Sequence, residues 1–438
     1  MKNTTQPHIF TFIALVCFAF LTQGCLEDKC TGEYTYIQYN PIYKSVEDIR
    51  NEVGLEANRD LCNPGKMFLY GSYIYVNDIR KGIHIIDNSN PSAPTPIAFL
   101  NIPGNVDIAV KENILYADNY TDLEIFDISS PTNPVHKGRV EDVFKGSSPN
   151  HDGNQIVGYD EEEVTVEYDC DIYYNGRAYP EGTVDFDNNI PSGGFINNNT
   201  TSFNPTVSTA PAAVAGSLSR FANYGNYLYT IDDRTDLDVF DISDACNPVP
   251  ISEIEIGWGI ETLFPSGKNL FVGADDGLYI YSLENPSFPS FRSKFDHARA
   301  CDPVYVQGNT AYVTLRSGNR CQGFNNQLDI LDVTDISNPD LLISVGMSNP
   351  HGLSIYEDLL MICEGEFGFK IFDKSEFNSI AENELSHVDN VNAYDVIAIP
   401  GSTIAMVIGE DGLFQYDFST ASDPIKLSLI SATRECAY

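Results

Sequence analysis

The sequence is poor in positive charge. It holds 25 Lys and Arg against 62 Asp and Glu, a formal net charge of −37 over 438 residues. This excludes the basic footprint on which nucleic-acid binding depends. A charge of this size keeps a chain soluble and repels anionic surfaces. Ca²⁺ is the ion that such acidity would attract, yet no DxDxDG-type loop is present, so no cofactor is expected. Catalytic signatures are also missing: there is no GxSxG, HExxH, Walker loop or complete GxGxxG. The seven His are scattered and form no pair at metal spacing. No CxxC occurs, so a zinc site is not expected and no metal ligand is nominated. Beyond the first 25 residues no hydrophobic stretch is long enough to span a membrane, and no helical period stands out.

What is present favours strands. Hydrophobic residues make up 42% of the chain, with 25 Tyr and 25 Phe, and aromatic and β-branched residues fit pleated sheets. The length is too great for one compact core, which implies several domains or a repeat.

Residues 1–24 read as a signal peptide. Lys2 gives a positive start, Ile9 to Leu21 form an apolar run, and Leu21-Thr22-Gln23-Gly24-Cys25 follows. A small residue before Cys25 resembles a bacterial lipobox, although Thr22 stands where Leu is usual. On this reading Cys25 is the lipid attachment site and residues 25–62 are a lipidated N-terminal segment. The alternative is an ordinary signal peptide with a structural Cys25. Glu27 and Asp28 resemble a surface-export signal, so an outer-membrane lipoprotein exposed at the cell surface is expected.

From residue 63 to 438 the chain repeats. A short alternating strand ends in Asp and runs into a Pro turn: GIHIIDNSNP (Gly82 to Pro91), LEIFDISSPTNP (Leu123 to Pro134) and LDVFDISDACNP (Leu237 to Pro248). Then come LYIYSLENP (Leu278 to Pro286), LDILDVTDISNP (Leu328 to Pro339), FKIFDKS (Phe369 to Ser375) and LFQYDFSTASDP (Leu413 to Pro424). The strand-ending residues are Asp87, Asp127, Asp241, Ser282, Asp332, Asp373 and Asp417, with successive differences of 40, 114, 41, 50, 41 and 44. The long gap holds an insertion at about 142–217. Earlier strands such as NILYADN (Asn113 to Asn119) and NYLYTID (Asn226 to Asp232) bring the count to four per repeat. That count and period predict an all-β fold, a β-propeller of about seven four-stranded blades. The repeated Asp has a structural explanation: it can accept from backbone N–H groups of the turn that follows.

These strands and their Asn-Pro turns are similar to the LVIVD-repeat family over about residues 65–430, the insertion apart. ACDPVYVQGNTAYVTLRSGNRC (Ala300 to Cys321) and SNPHGLSI (Ser348 to Ile355) resemble its extracytoplasmic members. The resemblance implies a β-propeller, often on a lipoprotein, with no settled activity. Ser282 departs from the pattern, so that turn needs another cap.

Within the insertion, Ile156 to Tyr174 alternates as a hairpin extending an outer strand would. Residues 188–216 are rich in Asn, Ser, Thr, Ala and Gly, the composition of a loop. TYIQYN (Thr35 to Asn40) either closes the ring or lies outside it. Eight cysteines remain besides Cys17 and Cys25, and in an exported protein an even number points to disulfides. Cys301–Cys321 is the first choice, with Cys30–Cys62, Cys170–Cys246 and Cys363–Cys436 to complete the set.

Propellers bind ligands where the innermost strands begin. Aligned repeats put Lys66, Asp107, Arg220, Glu261, Asp302, His351 and Asp395 near those starts, a mixed-charge ring that suits a small polar ligand or is simply solvated structure. Two main functions follow. One is a non-catalytic binding module for a glycan, a protein or another envelope component, joined to the membrane through its lipid. The other is a hydrolase or lyase in which His351 acts as general base beside a carboxylate such as Asp302. A purely structural envelope spacer is a third reading. The absence of a catalytic signature favours the first.

Overall fold

The computed structural model describes residues 31–146, 152–169, 213–215, 217–232, 234–297, 303–317 and 326–433. The chain divides into two compact units. The larger, residues 43–158 and 193–438, contains seven four-stranded blades, each a continuous piece of chain whose strands are hydrogen-bonded in sequence order; two further strands extend the sheet of blade 1 to six. In the first blade the four are Pro64–Tyr70, Tyr73–Asp78, Gly82–Asp87 and Thr95–Asn101. The innermost strands of blades 2 to 7 are Ile108–Lys111, Phe221–Tyr224, Ile260–Ser266, Val304–Gln307, Leu353–Tyr356 and Ala393–Ala398. Seven such blades in a ring form a seven-bladed β-propeller, as the repeats predict.

The alternation of each strand explains the ring. In blade 1, Phe68, Tyr70, Tyr75, Ile83 and Ile85 pack with Ile108, Leu115 and Phe126 of blade 2. The intervening Met67, Leu69, Ile74, Val76 and Ile86 pack with Ile397, Met406, Ile408 and Leu413 of blade 7. Successive side chains leave opposite faces of a strand, so one run of apolar residues feeds two inter-blade cores. Among the described residues no strand is exchanged at the closure. Asn88 and Gln415 instead pair their amides across it, at 3.0 and 2.8 Å, and Ser428 donates to the Pro91 carbonyl at 2.7 Å. Leu61 forms a parallel bridge with Ala432 beside the same seam.

The repeated strand-ending residue caps its turn in all seven blades. Asp87, Asp127, Asp241, Asp332, Asp373 and Asp417 each accept from the backbone N–H two residues on, at 2.8–2.9 Å. In blade 4 the Ser282 hydroxyl accepts from Glu284 N at 3.2 Å, so the departing repeat keeps the bond with a different acceptor. Those six carboxyls sit below the usual carboxylate range: in five of them the hydroxyl of the residue two places on lowers it most and the turn N–H comes next, and at Asp417 the turn N–H comes first.

A helix, Val46–Glu52, precedes blade 1. Ser45 caps it by accepting from Asp48 N at 3.1 Å. Its Arg50 makes a two-pronged bond to the buried Asp122 of blade 2, at 2.6 and 2.8 Å, and reaches Glu141 and Asp142. Burial opposes ionisation of Asp122, but the Arg50 contact outweighs it and the carboxyl stays below its usual range. Gly54–Ala57 then pairs with the outermost strand of blade 1.

In the smaller unit residues 31–42 and 159–169 are described. The strands Thr31–Ser45 and Asn154–Asp169 form a two-stranded ribbon. Thr35 and Thr165 share a bond of 3.0 Å, and Tyr39 meets Tyr159 edge-on at 6.4 Å. Two expectations are settled here. Thr35–Asn40 lies in this ribbon, outside the ring. The strand starting at Asn154 pairs there too and does not extend a blade's outer strand. Length gives the reason: its 16 residues match the 15 of Thr31–Ser45, whereas blade outer strands have 5 to 7, too few to satisfy its main chain.

Two outcomes follow. Asp332→Ala should lower the melting temperature by about 2 °C, and Asp332→Asn, which keeps an acceptor, by less; thermal unfolding followed by circular dichroism reads both. Arg50→Ala should cost about 2 kcal/mol, since it strands a buried carboxylate. Urea unfolding checks this, and unchanged stability would show that the helix contributes nothing to the propeller.

Candidate functional site

The returning end of the insertion runs through the channel. Ala213–Ala215 pairs antiparallel with the innermost strand of blade 1, on the edge that faces away from the rest of that blade. Residues Ser217 to Ser219 are buried. The Ser217 hydroxyl accepts from Leu353 N of blade 6 and lies 3.4 Å from Asp395 of blade 7. Leu263 N of blade 4 donates to the Ser219 carbonyl at 2.7 Å, and Arg220 N donates to Asp107 of blade 2 at 2.6 Å. Ile231 N of blade 3 donates to the Arg220 carbonyl at 2.9 Å, so residues 213–220 bond to six of the seven blades, and the channel is occupied by the chain itself at this level.

Four of the anticipated ring residues meet around this segment. Lys66 and Asp107, both buried, form an ion pair. Burial, then the nearby Arg220, pulls the Lys66 ammonium well below its usual range. Burial likewise lowers Arg220, whose guanidinium donates to the Ile231 carbonyl at 3.1 Å. Asp395 is pushed up to about 7 by burial, although it accepts from Val396 N and Ser217 N. Asp118 joins them. It accepts from Val106 N, Asp107 N and the Asn105 amide at 2.7–2.8 Å, and burial still raises it to about 6.

Glu261 and His351 sit beside this group: Glu261 faces the Arg220 charge, and Gly352, next to His351, lies against the Asp395 carboxyl. Glu261 pairs with Arg234 at 2.6 Å, and the same guanidinium reaches Asp275 at 2.8 Å. His351 is buried, with Nε2 3.2 Å from the Asn349 amide and its ring 5.7 Å from Tyr394. Burial, then Arg316, drives its pKa well below the usual value. This holds the imidazole neutral, and its backbone N–H bonds Cys363 O at 2.7 Å. Asp302, the carboxylate anticipated beside it, lies outside the described residues.

Sequence reading missed Ser217, Asp118, Arg234 and Asp275. Asp118 stood inside the quoted strand NILYADN, so its repeat position was visible. Ser217 had no signal, because its place follows from how the insertion threads back. Two pairings are corrected: Cys246 and Cys363 carry free thiols, so neither Cys170–Cys246 nor Cys363–Cys436 forms. Cys363 is buried in the apolar face of blade 6, away from any outside thiol. Cys62 is disulfide-bonded, to a partner outside the described residues. Cys25, Cys30, Cys301 and Cys321 lie outside them too.

The class is thus a seven-bladed β-propeller whose channel is filled by a segment of its own insertion. More particularly, the chain carries LVIVD repeats, matched by the LVIVD repeat family model at residues 65–98, 104–142, 215–254 and 298–346. No curated protein matches the sequence. Among solved structures, the computationally designed protein Ika8 is similar at 9% identity and a TM-score of 0.49, over 86% of this chain and 91% of that one. A functionally unknown protein from Desulfotomaculum acetoxidans is similar at 10% identity and a TM-score of 0.49, over 84% and 97%. BamB from Moraxella catarrhalis is similar at 6% identity and a TM-score of 0.45, over 87% and 97%. These likenesses carry no functional argument.

The raised Asp395 pKa has a definite sign. The folded state holds a proton between the unfolded value near 4 and about 7, so stability falls as pH rises through that window. Asp395→Asn should remove this dependence, so that wild type loses on the order of 2 kcal/mol relative to the variant between pH 4 and pH 7. Urea titrations across that range test it, and parallel pH profiles would contradict the assignment.

Proposed function

We propose that the protein is a non-catalytic binding module of the bacterial envelope, exported, lipidated at Cys25 and displayed at the outer membrane. The observation that carries this reading is the use of the channel. Asp107 and Asp395, which would form the floor of a propeller active site, are engaged by Arg220 and Ser217 of the threaded segment, and Lys66 is paired with Asp107. A side chain already spent on the fold is poorly placed to bind and release a substrate. Recognition then falls to the outer surfaces, where a glycan or an envelope protein is the anticipated partner. The hydrolase or lyase reading depends on His351 as general base. Its burial and depressed pKa fit a packed histidine that stays neutral, and a catalytic base would need access to substrate.

The test is a binding screen of the soluble body, from Leu26 onward, against a glycan array and envelope extracts. His351→Ala and a deletion of about residues 170–212 run alongside. Binding retained in His351→Ala supports the module. Turnover of a bound compound that disappears in His351→Ala would sink it and favour the enzyme.

A further inference from the structure

The chain has one tryptophan, Trp258, and it is 74% exposed. Phe288, Phe291 and Phe367 are exposed too, but none as far as this indole, and an indole left in water to this extent marks a contact point, not a packing element. It stands in the short link between the outermost strand of blade 3, Val249–Glu255, and the innermost strand of blade 4, Ile260–Ser266. This is the end of the propeller at which the ring residues lie.

The link is built to hold that indole outward. Gly257 and Gly259 flank it with φ of +147° and +85°, a region that side chains avoid. A Cβ on Gly259 would come within 2.5 Å of the Asp275 carboxylate, so the backbone lies pressed against that residue. Gly259 N and Ile260 N both donate to the Arg234 carbonyl, at 2.9 and 3.0 Å. Beneath the link, the Arg234 guanidinium joins Glu261 and Asp275. On the side of Gly257, Tyr279 OH bonds Asp276 at 3.1 Å, and Lys294 reaches Asp276 and Asp296 at 2.8 Å. Arg234, Glu261, Asp276 and Lys294 all keep part of their side chains in solvent.

We propose that Trp258, with the part-exposed Arg234 and Glu261 beside it, forms a subsite for one neutral pyranose unit of an oligosaccharide. The inference rests on the binding-module reading and names its ligand chemistry. A pyranose has a flat C–H face that covers an indole and a hydroxyl edge that needs donors and acceptors together. Planar guanidinium and carboxylate groups supply both in fixed directions. The charge selects against acidic sugars. Four carboxylates (Glu261, Asp275, Asp276 and Asp296) face two cations, on a chain of net charge −37. An anionic membrane is repelled for the same reason.

Because Trp258 is unique, indole emission reports from this place alone. The soluble body would be titrated with chitotetraose, cellotetraose, maltotetraose and a mannose trimer, with oligogalacturonate as the acidic control. At least one neutral oligosaccharide should give a saturable change in emission, and oligogalacturonate none. Calorimetry should then show affinity falling at least tenfold in Trp258→Ala and about tenfold in Arg234→Ala, with Trp258→Phe partly retained. Trp258 is exposed, so its replacement should leave the melting temperature unchanged. No emission change with any neutral sugar would overturn the subsite, as would a response to oligogalacturonate alone. Undiminished glycan binding by Trp258→Ala would also overturn it while leaving the binding-module reading intact. If the array and extracts give no partner either, the wider reading falls as well.

Discussion

A four-stranded blade has two apolar faces and cannot bury either by itself. Everything else in this propeller depends on neighbours covering both. The alternation Met67, Phe68, Leu69, Tyr70 shows how directly this is written, since even and odd positions enter the cores on opposite sides of blade 1. The demand is hardest to meet at the closure, where the first and last blades come from opposite ends of the repeat. Among the described residues no shared strand links them. Apolar packing does most of the joining, and the reciprocal Asn88–Gln415 amide pair fixes the register, because a slip would leave two buried amides unpaired.

Aspartate plays two opposite parts in this ring. At the outer turns it accepts from N–H groups with water at its back, and its pKa falls, as at Asp332. In the channel Asp118 accepts from three donors, yet its pKa rises to about 6. Hydrogen bonds alone do not set the sign; burial raises a carboxyl unless a cation bonds it directly, as Arg50 does at Asp122. The turn residues favour folding at neutral pH and the channel residues favour it in mild acid. The channel is therefore costly to keep, and the bonds from Ser217 and Arg220 help to offset that cost.

The fold was legible because it repeats. Spacing, strand count and the terminal Asp each recur, and the Asp role as a turn acceptor followed from stereochemistry at one position applied to all. Ser282 was flagged as an exception, and it makes the same bond with a hydroxyl. The candidate ring was half legible. Alignment put Lys66, Asp107, Arg220 and Asp395 at strand starts, and they do converge. It could not show that the end of the insertion would enter the space between them, since the pairing of Ala213–Ala215 with blade 1 and the bonds of Ser217 follow from how the insertion threads back. Pairing in the Thr31–Ser45 ribbon was hidden for a similar reason: its two strands are more than a hundred residues apart and match by length, not motif. The cysteine pairings failed at Cys246 and Cys363 because counting residues says nothing about which thiols the blades bury.

Repetition also shows where function has room to arise. The turn bond is made in every blade, by a carboxylate in six and by the Ser282 hydroxyl in blade 4, because the turn is the same. Three residues earlier, the strands carry His84, Glu124, Asp238, Tyr279, Asp329 and Lys370, and the partners differ: Asp78 for His84, His136 for Glu124, Ser344 for Asp329, Glu364 for Lys370. Such positions are free to vary as long as each finds its own partner. The links between blades vary most, as they answer only to chain closure. Gly257-Trp258-Gly259 is one such link, and its two glycines, which no repeat rule requires, hold the sole tryptophan in water. In a structure whose regular positions are occupied with building the ring, these irregular ones are left free of that demand.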